Sequence, residues 1–231
     1  SLSMIPMGVW DRVKNHDAVN LGEYRLVRLA AGYDADQGFS EDLVNLRQWN
    51  DKGIAGIERP EPTDFYYSSL ETALAAQEKA RIVVVIGAPG AGKSTLLRHH
   101  EVTVAKQAVK NHTTDVPFYV HLNHLRGFPR LPKEPLLEWL QRLWGFRFPA
   151  LPPLSATIQH GDAYLLLDGL DEIPHTDASA YREEMIRWSA TAHEVLAANS
   201  KNMIVFSCRT LDYTTWLSSE RTRVPRLEMQ S

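Results

Sequence analysis

Short runs that are apolar on both faces recur along the chain, with room for a helix between successive runs. They occupy residues 81–86, 116–122, 163–167 and 203–207, and residues 224–229 (VPRLEM) are a candidate for a fifth strand at the end of the chain. Such runs are typical of strands that a parallel sheet buries on both faces. We therefore predict five strands in this part of the chain.

Segments with helical periodicity separate these strands. Helices are predicted at residues 68–79, 92–110, 134–144 and 179–198. Strands that alternate with helices indicate an α/β fold, in which a parallel sheet carries helices on both faces.

The first 60 residues follow a different pattern. It predicts a short strand at residues 24–29 and a helix at residues 40–50. Residues 58–64 (ERPEPTD) hold two prolines and three acids, which predicts a linker. We expect residues 1–60 to be a small N-terminal extension or part of a preceding module, and residues 64–231 to form the main domain. The chain opens with serine, and residues 1–3 are expected to be left over from cloning.

A glycine-rich loop follows the strand at residues 81–86 and precedes a predicted helix. Its sequence, GAPGAGKST, fits the phosphate-loop pattern G-x-x-x-x-G-K-[ST] in the strand-to-helix context that the pattern requires. The residues predicted to bind nucleotide phosphates are Gly87, Ala88, Pro89, Gly90, Ala91, Gly92, Lys93, Ser94 and Thr95.

The residue types in this loop suit an anion. Glycines allow positive φ angles and a close approach of the backbone. Consecutive amide N–H groups and a helix N-terminus supply partial positive charge. Lys93 adds a full charge near the β- and γ-phosphates, and Ser94 offers its hydroxyl to Mg²⁺. The alternative is a glycine-rich turn with a surface lysine, and the flanking strand and helix argue against it.

Three carboxylates follow the strand at residues 163–167 within five positions, in the stretch LLLDGLDEIP. Ligands of open α/β sheets lie beyond the carboxyl ends of the strands, and Mg²⁺ prefers carboxylate oxygens or carboxylate-held waters. We assign Asp168 to Mg²⁺, on a strand that is a candidate neighbour of the phosphate-loop strand. Asp171 or Glu172 is expected to polarise the attacking water or to sense the γ-phosphate. The alternative is an acidic loop that caps the next helix.

An arginine stands at the carboxyl end of the strand at residues 203–207. From this edge of the sheet Arg209 is expected to reach a γ-phosphate and to report its loss. A surface ion pair is the alternative. The neighbouring Cys208 is interpreted as a small buried residue and not as a nucleophile.

Three motifs together resemble the NACHT subgroup of the STAND nucleotide-switch ATPases: GAPGAGKSTLLR, LLLDGLDEIP and VFSCRTLDY. A small residue directly after the first aspartate, followed by two acids, is the most specific of these features. The similarity spans residues 64–228. It implies an ASCE-type P-loop NTPase fold that binds ATP or ADP with Mg²⁺, with Asp168 as the Walker B acid and Arg209 at the sensor position.

The resemblance also implies a function and a boundary. STAND proteins carry a winged-helix region after the nucleotide domain, so we expect residues 64–231 to be a NACHT-type domain truncated before that region. Such a piece is expected to bind nucleotide weakly and to hydrolyse ATP slowly at most. In relatives, ATP binding controls conformation and self-association in defence or signalling.

Composition narrows the possible partners and cellular location of the protein. A formal charge of −3 gives no field that attracts nucleic acid, and no apolar run is long enough for a membrane span. One cysteine and the lack of a secretory pattern favour a cytoplasmic protein.

A small-molecule P-loop kinase remains the alternative function, with Arg126, Arg130 and Lys133 as its candidate lid. A third possibility is an interaction module with a vestigial nucleotide site.

Overall fold

The computed structural model describes residues 45–54, 57–77, 80–111, 113, 115–123, 128–131, 133–149, 151–213, 217–218 and 224–230. In this part of the chain the strands form one seven-stranded sheet. They are β1 (Leu46–Ile54), β2 (Ile57–Tyr67), β3 (Ile82–Gly87), β4 (Val116–His121), β5 (Ala163–Asp168), β6 (Met203–Arg209) and β7 (Arg226–Met229).

The order of strands in the sheet is β2-β1-β7-β3-β6-β5-β4. Five strands, from β7 to β4 in that order, run parallel. The hairpin β1–β2 joins them antiparallel along β7. Strand β6 therefore lies between β3 and β5, so the expectation that the strand of Asp168 neighbours the phosphate-loop strand is wrong.

The helices are α1 (Leu70–Ala76), α2 (Lys93–Asn111), α3 (Leu136–Arg147), α4 (Leu154–His160) and α5 (Ala178–Ala198), with a 3₁₀ turn at Leu170–Glu172. Sequence analysis missed α4, which has seven residues, and the 3₁₀ turn, which has three. Two helices start at side-chain caps, since Ser69 accepts from the amide of Thr72 and Asp177 from that of Ala180.

Alternate residues of β3 supply two separate cores. Val84 belongs to the core that packs α3, α4 and α5 on one face of the sheet. Val83 and Val85 belong to the core that packs α1 and α2 on the other face. The sheet is thus covered on both faces, as expected for parallel strands that are apolar throughout. This confirms the predicted α/β fold class.

The hairpin replaces two predicted features. The helix predicted at residues 40–50 is wrong from Leu46 onwards, and the linker predicted at residues 58–64 is part of β2. Main-chain pairing with β7 outweighs the weak helical signal of this segment. The prolines of β2 are tolerated because β2 is an edge strand, where one row of N–H groups needs no partner.

Other early predictions lie outside the described residues, namely residues 40–44 and the strand at 24–29. The sheet itself begins at Leu46, ahead of the boundary predicted at residue 64. That domain boundary stays a prediction.

A buried polar chain ties α1 to α2 and β5. His100 on α2 is 3% exposed, and its Nδ1 lies 2.5 Å from Glu71 Oε1. Its Nε2 lies 2.9 Å from the hydroxyl of Tyr164. Burial raises the pKa of Glu71, but the hydrogen bond and the charge of His100 outweigh burial and lower this pKa from 4.5 to about 2. The pair therefore stabilises the fold wherever Glu71 is ionised.

The substitution Glu71→Gln tests this contact. At pH 7 we expect the free energy of unfolding to fall by about 1–3 kcal/mol, because a charged hydrogen bond is lost. Folding lowers the pKa of Glu71, so its contribution is complete above pH 4.5 and is lost as the pH falls towards 2. The measurement is urea unfolding of both proteins between pH 7 and pH 3. Glu194 is exposed, so Glu194→Gln is the control. A difference in the free energy of unfolding between wild type and Glu71→Gln that stays constant with pH contradicts the assignment.

Candidate functional site

The phosphate-loop residues connect β3 to α2 at the carboxyl edge of the sheet. Gly90 and Gly92 have φ angles of 77° and 89°, which side chains other than glycine rarely adopt. The ammonium of Lys93 donates to the carbonyls of Gly87 (2.8 Å) and Ala88 (2.9 Å). An ammonium has three donors, so the loop holds Lys93 in place while a third donor remains for an anion.

Asp168 ends β5 and is 2% exposed. Its Oδ1 accepts a 2.5 Å hydrogen bond from the Ser207 hydroxyl, and its Oδ2 accepts a 2.6 Å hydrogen bond from the Tyr119 hydroxyl. The amide of Gly169 donates to Ser207 Oγ at 2.8 Å. Burying a carboxylate costs free energy unless hydrogen-bond donors surround it, and here the two neighbouring strands β4 and β6 supply them.

Asp171 and Arg209 form an ion pair across β5 and β6. Asp171 accepts from the Arg209 amide (3.0 Å) and pairs with Arg209 Nε (2.9 Å). The side chain of Asp171 is 5% exposed, whereas that of Arg209 is 47% exposed. The ion pair considered as an alternative for Arg209 is therefore present, and it holds the arginine on the same edge of the sheet as the phosphate loop.

Glu172 takes its partners from the end of β4. Asn123 Nδ2 donates to Glu172 Oε2 at 3.1 Å. His121 Nε2 lies 3.9 Å from the same oxygen and 3.8 Å from Asp168 Oδ2. Sequence analysis did not assign His121 or Asn123 to this site. The available signal was their position at the carboxyl end of a buried parallel strand, where site residues collect.

These elements surround a cavity of about 320 Å³. Its lining residues are Pro89, Gly90, Gly92, Lys93, Ser94, Thr95, Asp168, Gly169, Asp171, Glu172, Ser207 and Arg209. Most of the predicted site residues thus meet around one space. Gly87 lies beneath the loop, where a Cβ would come within 3.3 Å of Met229 Cβ. The assigned roles stay predictions.

A second cavity of about 460 Å³ shares Pro89 and Arg209 with the first. Its lining residues are Ala88, Pro89, Ala91, Arg209, Thr210, Leu211, Asp212, Glu228, Met229 and Gln230. Glu228 accepts hydrogen bonds from Trp49 Nε1 (2.9 Å) and Gln230 Nε2 (3.0 Å). The two remaining predicted loop residues, Ala88 and Ala91, line this space.

The site fits a nucleotide with Mg²⁺. The positive φ angles of Gly90 and Gly92 shape the loop, and Lys93 supplies a cation to the same cavity. Ser94 and Asp168 supply the hydroxyl and carboxylate oxygens that Mg²⁺ prefers, directly or through water. Bound Mg²⁺ supplies positive charge to phosphate oxygens.

A comparison with protein-family models finds a match to this chain. The family model of the NACHT domain matches residues 81–212, which is more than half of the chain. No curated protein matches the chain. In the described residues no helix has the length and apolar character needed to cross a membrane.

Two solved structures show distant likeness. The structure of C. elegans PCH-2 is 12% identical with a TM-score of 0.31, covering 58% of this chain and 31% of that chain. A chain in the structure of the E. coli MS115-1 HORMA:CdnC:Trip13 complex is 15% identical with a TM-score of 0.39, covering 99% of this chain and 64% of that chain. The chain thus spans less than two thirds of either.

The thiol of Cys208 tests how tightly this edge of the sheet is packed. Burial raises the pKa of Cys208, and the charge of Asp171 raises it further. We expect no reaction of the native protein with a thiol-specific chromogenic reagent at pH 8, and one equivalent of reaction in denaturing urea. Cys208 is the only cysteine in the sequence, and Cys208→Ala provides the blank. Equal reaction rates with and without urea contradict the buried assignment.

Proposed function

The chain belongs to the NACHT domain family, and we propose that it is a regulatory switch domain that binds ATP or ADP with Mg²⁺. Lys93 and the phosphate-loop amides hold the phosphates in this proposal. Ser94 and Asp168 hold Mg²⁺, and Arg209 senses the γ-phosphate. The cavity of about 320 Å³ carries the proposal, because a lysine, an arginine and three carboxylates meet there at the ends of neighbouring parallel strands.

One contact distinguishes ATP from ADP in this proposal, and Arg209 makes it. Without a γ-phosphate, Arg209 is held by Asp171. A γ-phosphate offers Arg209 a second anionic partner, and its loss returns the arginine to Asp171 alone. A ligand shifts a conformational equilibrium only through such differential contacts. Control of conformation and self-association by ATP is proposed on this basis.

Hydrolysis, where it occurs, is assigned to Glu172. Both oxygens of Asp171 are engaged by Arg209, so Asp171 serves to position the arginine. Glu172 lines the cavity and is held at one oxygen by Asn123. A carboxylate held in this way is suited to orient or deprotonate a water molecule. We propose slow ATP hydrolysis by the full-length protein.

The cavity of about 460 Å³ is proposed to receive the base and ribose. It adjoins the phosphate cavity at Pro89 and Arg209, and it combines apolar surface at Met229 with the carboxylate of Glu228. The β1–β2 hairpin supports this wall through the contact of Trp49 with Glu228. We also propose that the nucleotide domain includes this hairpin, and that the protein acts in the cytoplasm.

The alternative of a small-molecule kinase gains no support from the described residues. Arg130, one of its candidate lid residues, forms two hydrogen bonds with Glu184 on α5, at 2.8 and 3.2 Å. That contact fastens the segment before α3 to the helical layer. Arg126 lies outside the described residues. Rapid phosphorylation of a small acceptor would nevertheless favour the kinase.

Titration of ATP and ADP with Mg²⁺ tests the nucleotide site. We expect both to bind the chain, and Lys93→Ala to weaken binding about 10- to 100-fold, because a charge-assisted phosphate contact is lost. Calorimetry and light scattering report the heat and the oligomer size. Lys110→Ala, at the other end of α2, is the matched control. Absence of binding by the intact chain contradicts the proposal.

The substitution Arg209→Ala tests sensing of the γ-phosphate. We expect ATP affinity to fall about 10-fold and ADP affinity to change less than about twofold, because only ATP has the group that Arg209 contacts. Arg81→Ala is the control, because Arg81 is exposed and lies just before β3, at the end of the strand away from the site. Equal losses for ATP and ADP contradict the sensor role.

A further inference from the structure

Tyr119 on β4 makes a contact that neither the motifs nor the family match assigns. Its hydroxyl donates to Asp168 Oδ2 at 2.6 Å, while Ser207 occupies Oδ1. Asp168 therefore receives one hydroxyl donor on each oxygen. The carboxylate is held in one orientation from two sides, by β4 and by β6.

The rest of Tyr119 is also held in place. Its amide donates to the buried carboxylate of Glu101 at 3.0 Å, and its carbonyl accepts from Arg147 Nη1 at 2.9 Å. The guanidinium of Arg98 lies 4.2 Å from the centre of its ring. Strand β4 is an edge strand, so these contacts satisfy backbone groups for which the sheet has no partner. They also fix the ring that carries the hydroxyl.

Two of these contacts come from the helix that begins at the phosphate loop. Arg98 and Glu101 lie on α2, which starts at Lys93 and Ser94. A physical chain therefore runs from α2 through Tyr119 to Asp168. It joins the two elements that must be in register if Ser94 and Asp168 are to serve the same cation.

We propose that Tyr119 is a positioning residue for the Mg²⁺ site, holding Asp168 in register with the phosphate loop. This inference rests on the proposed function. Partners that orient metal ligands typically change metal affinity about 10- to 100-fold when they are removed.

The experiment measures the dissociation constant of ATP with EDTA and with Mg²⁺, and divides the EDTA value by the Mg²⁺ value. This ratio is the Mg²⁺-dependent gain in affinity. We expect Tyr119→Phe to reduce the Mg²⁺-dependent gain in affinity about 10-fold and to leave Mg²⁺-free binding unchanged. A merely structural role lowers both affinities together and leaves the ratio unchanged. An unchanged ratio, or a larger one, overturns the proposal.

Tyr164→Phe is the matched control. It removes a phenol hydroxyl from β5, the strand of Asp168, but that hydroxyl contacts His100 and not the site. We expect its ratio to equal that of the wild type. Arg98→Gln is a second variant, which keeps the Tyr119 hydroxyl and removes the cation over the ring. It is expected to reduce the same ratio by a smaller factor, and it keeps the proposal testable if Tyr119→Phe does not fold.

Asp168→Asn separates failure of the inference from failure of the proposed function. If Asp168→Asn abolishes the Mg²⁺-dependent gain and Tyr119→Phe leaves it intact, only the role of Tyr119 is wrong. If neither Lys93→Ala nor Asp168→Asn alters ATP binding, the assigned nucleotide site is wrong, and the inference falls with it.

Discussion

Three carboxylates lie within five residues at the end of β5, and their mutual repulsion is the constraint on which the site depends. Charges this close remain together only if each has a partner. Asp168 is buried and accepts from two hydroxyls, Asp171 pairs with Arg209, and Glu172 accepts from Asn123. The partners come from β6, from β4 and from the residues just after β4. The local sequence is therefore stable only within this sheet.

The parallel sheet makes that partnership possible. Strands β4, β5 and β6 end at the same edge as β3, so residues far apart in the chain converge without long loops. Strand β6 connects the parts of the site, because it pairs with β3 on one side and with β5 on the other. It brings Ser207 to Asp168 and Arg209 to both Asp171 and the phosphate loop. One strand thus links the proposed metal site to the proposed γ-phosphate sensor.

The antiparallel hairpin adds a different kind of support. Trp49 on β1 donates to Glu228 on β7, and Met229 lies close to the backbone of Gly87. Strand β7 thus lines the second cavity, and β1 contacts that lining through Trp49. Helix α1 is held against α2 by the contact between Glu71 and His100. The segment before the phosphate loop thus contributes to the layers around the site.

The sequence by itself determined the elements whose signals are local. The four strands β3 to β6 are largely apolar and buried on both faces, and the phosphate loop needs glycines at fixed positions, so both could be predicted from the sequence alone. The order in which the strands pair in the sheet could not be predicted from the sequence. Residues 46–50 and 58–64 became strands because β7 and β1 offered backbone partners, and no local preference encodes that choice. The insertion of β6 between β3 and β5 is likewise a tertiary outcome. The contacts of Tyr119, Asn123, Ser207 and Arg209 with the three acids followed from that order of strands. Side chains 35 or more positions apart meet only after the sheet has formed, so the tertiary structure alone decided which residue partners each carboxylate.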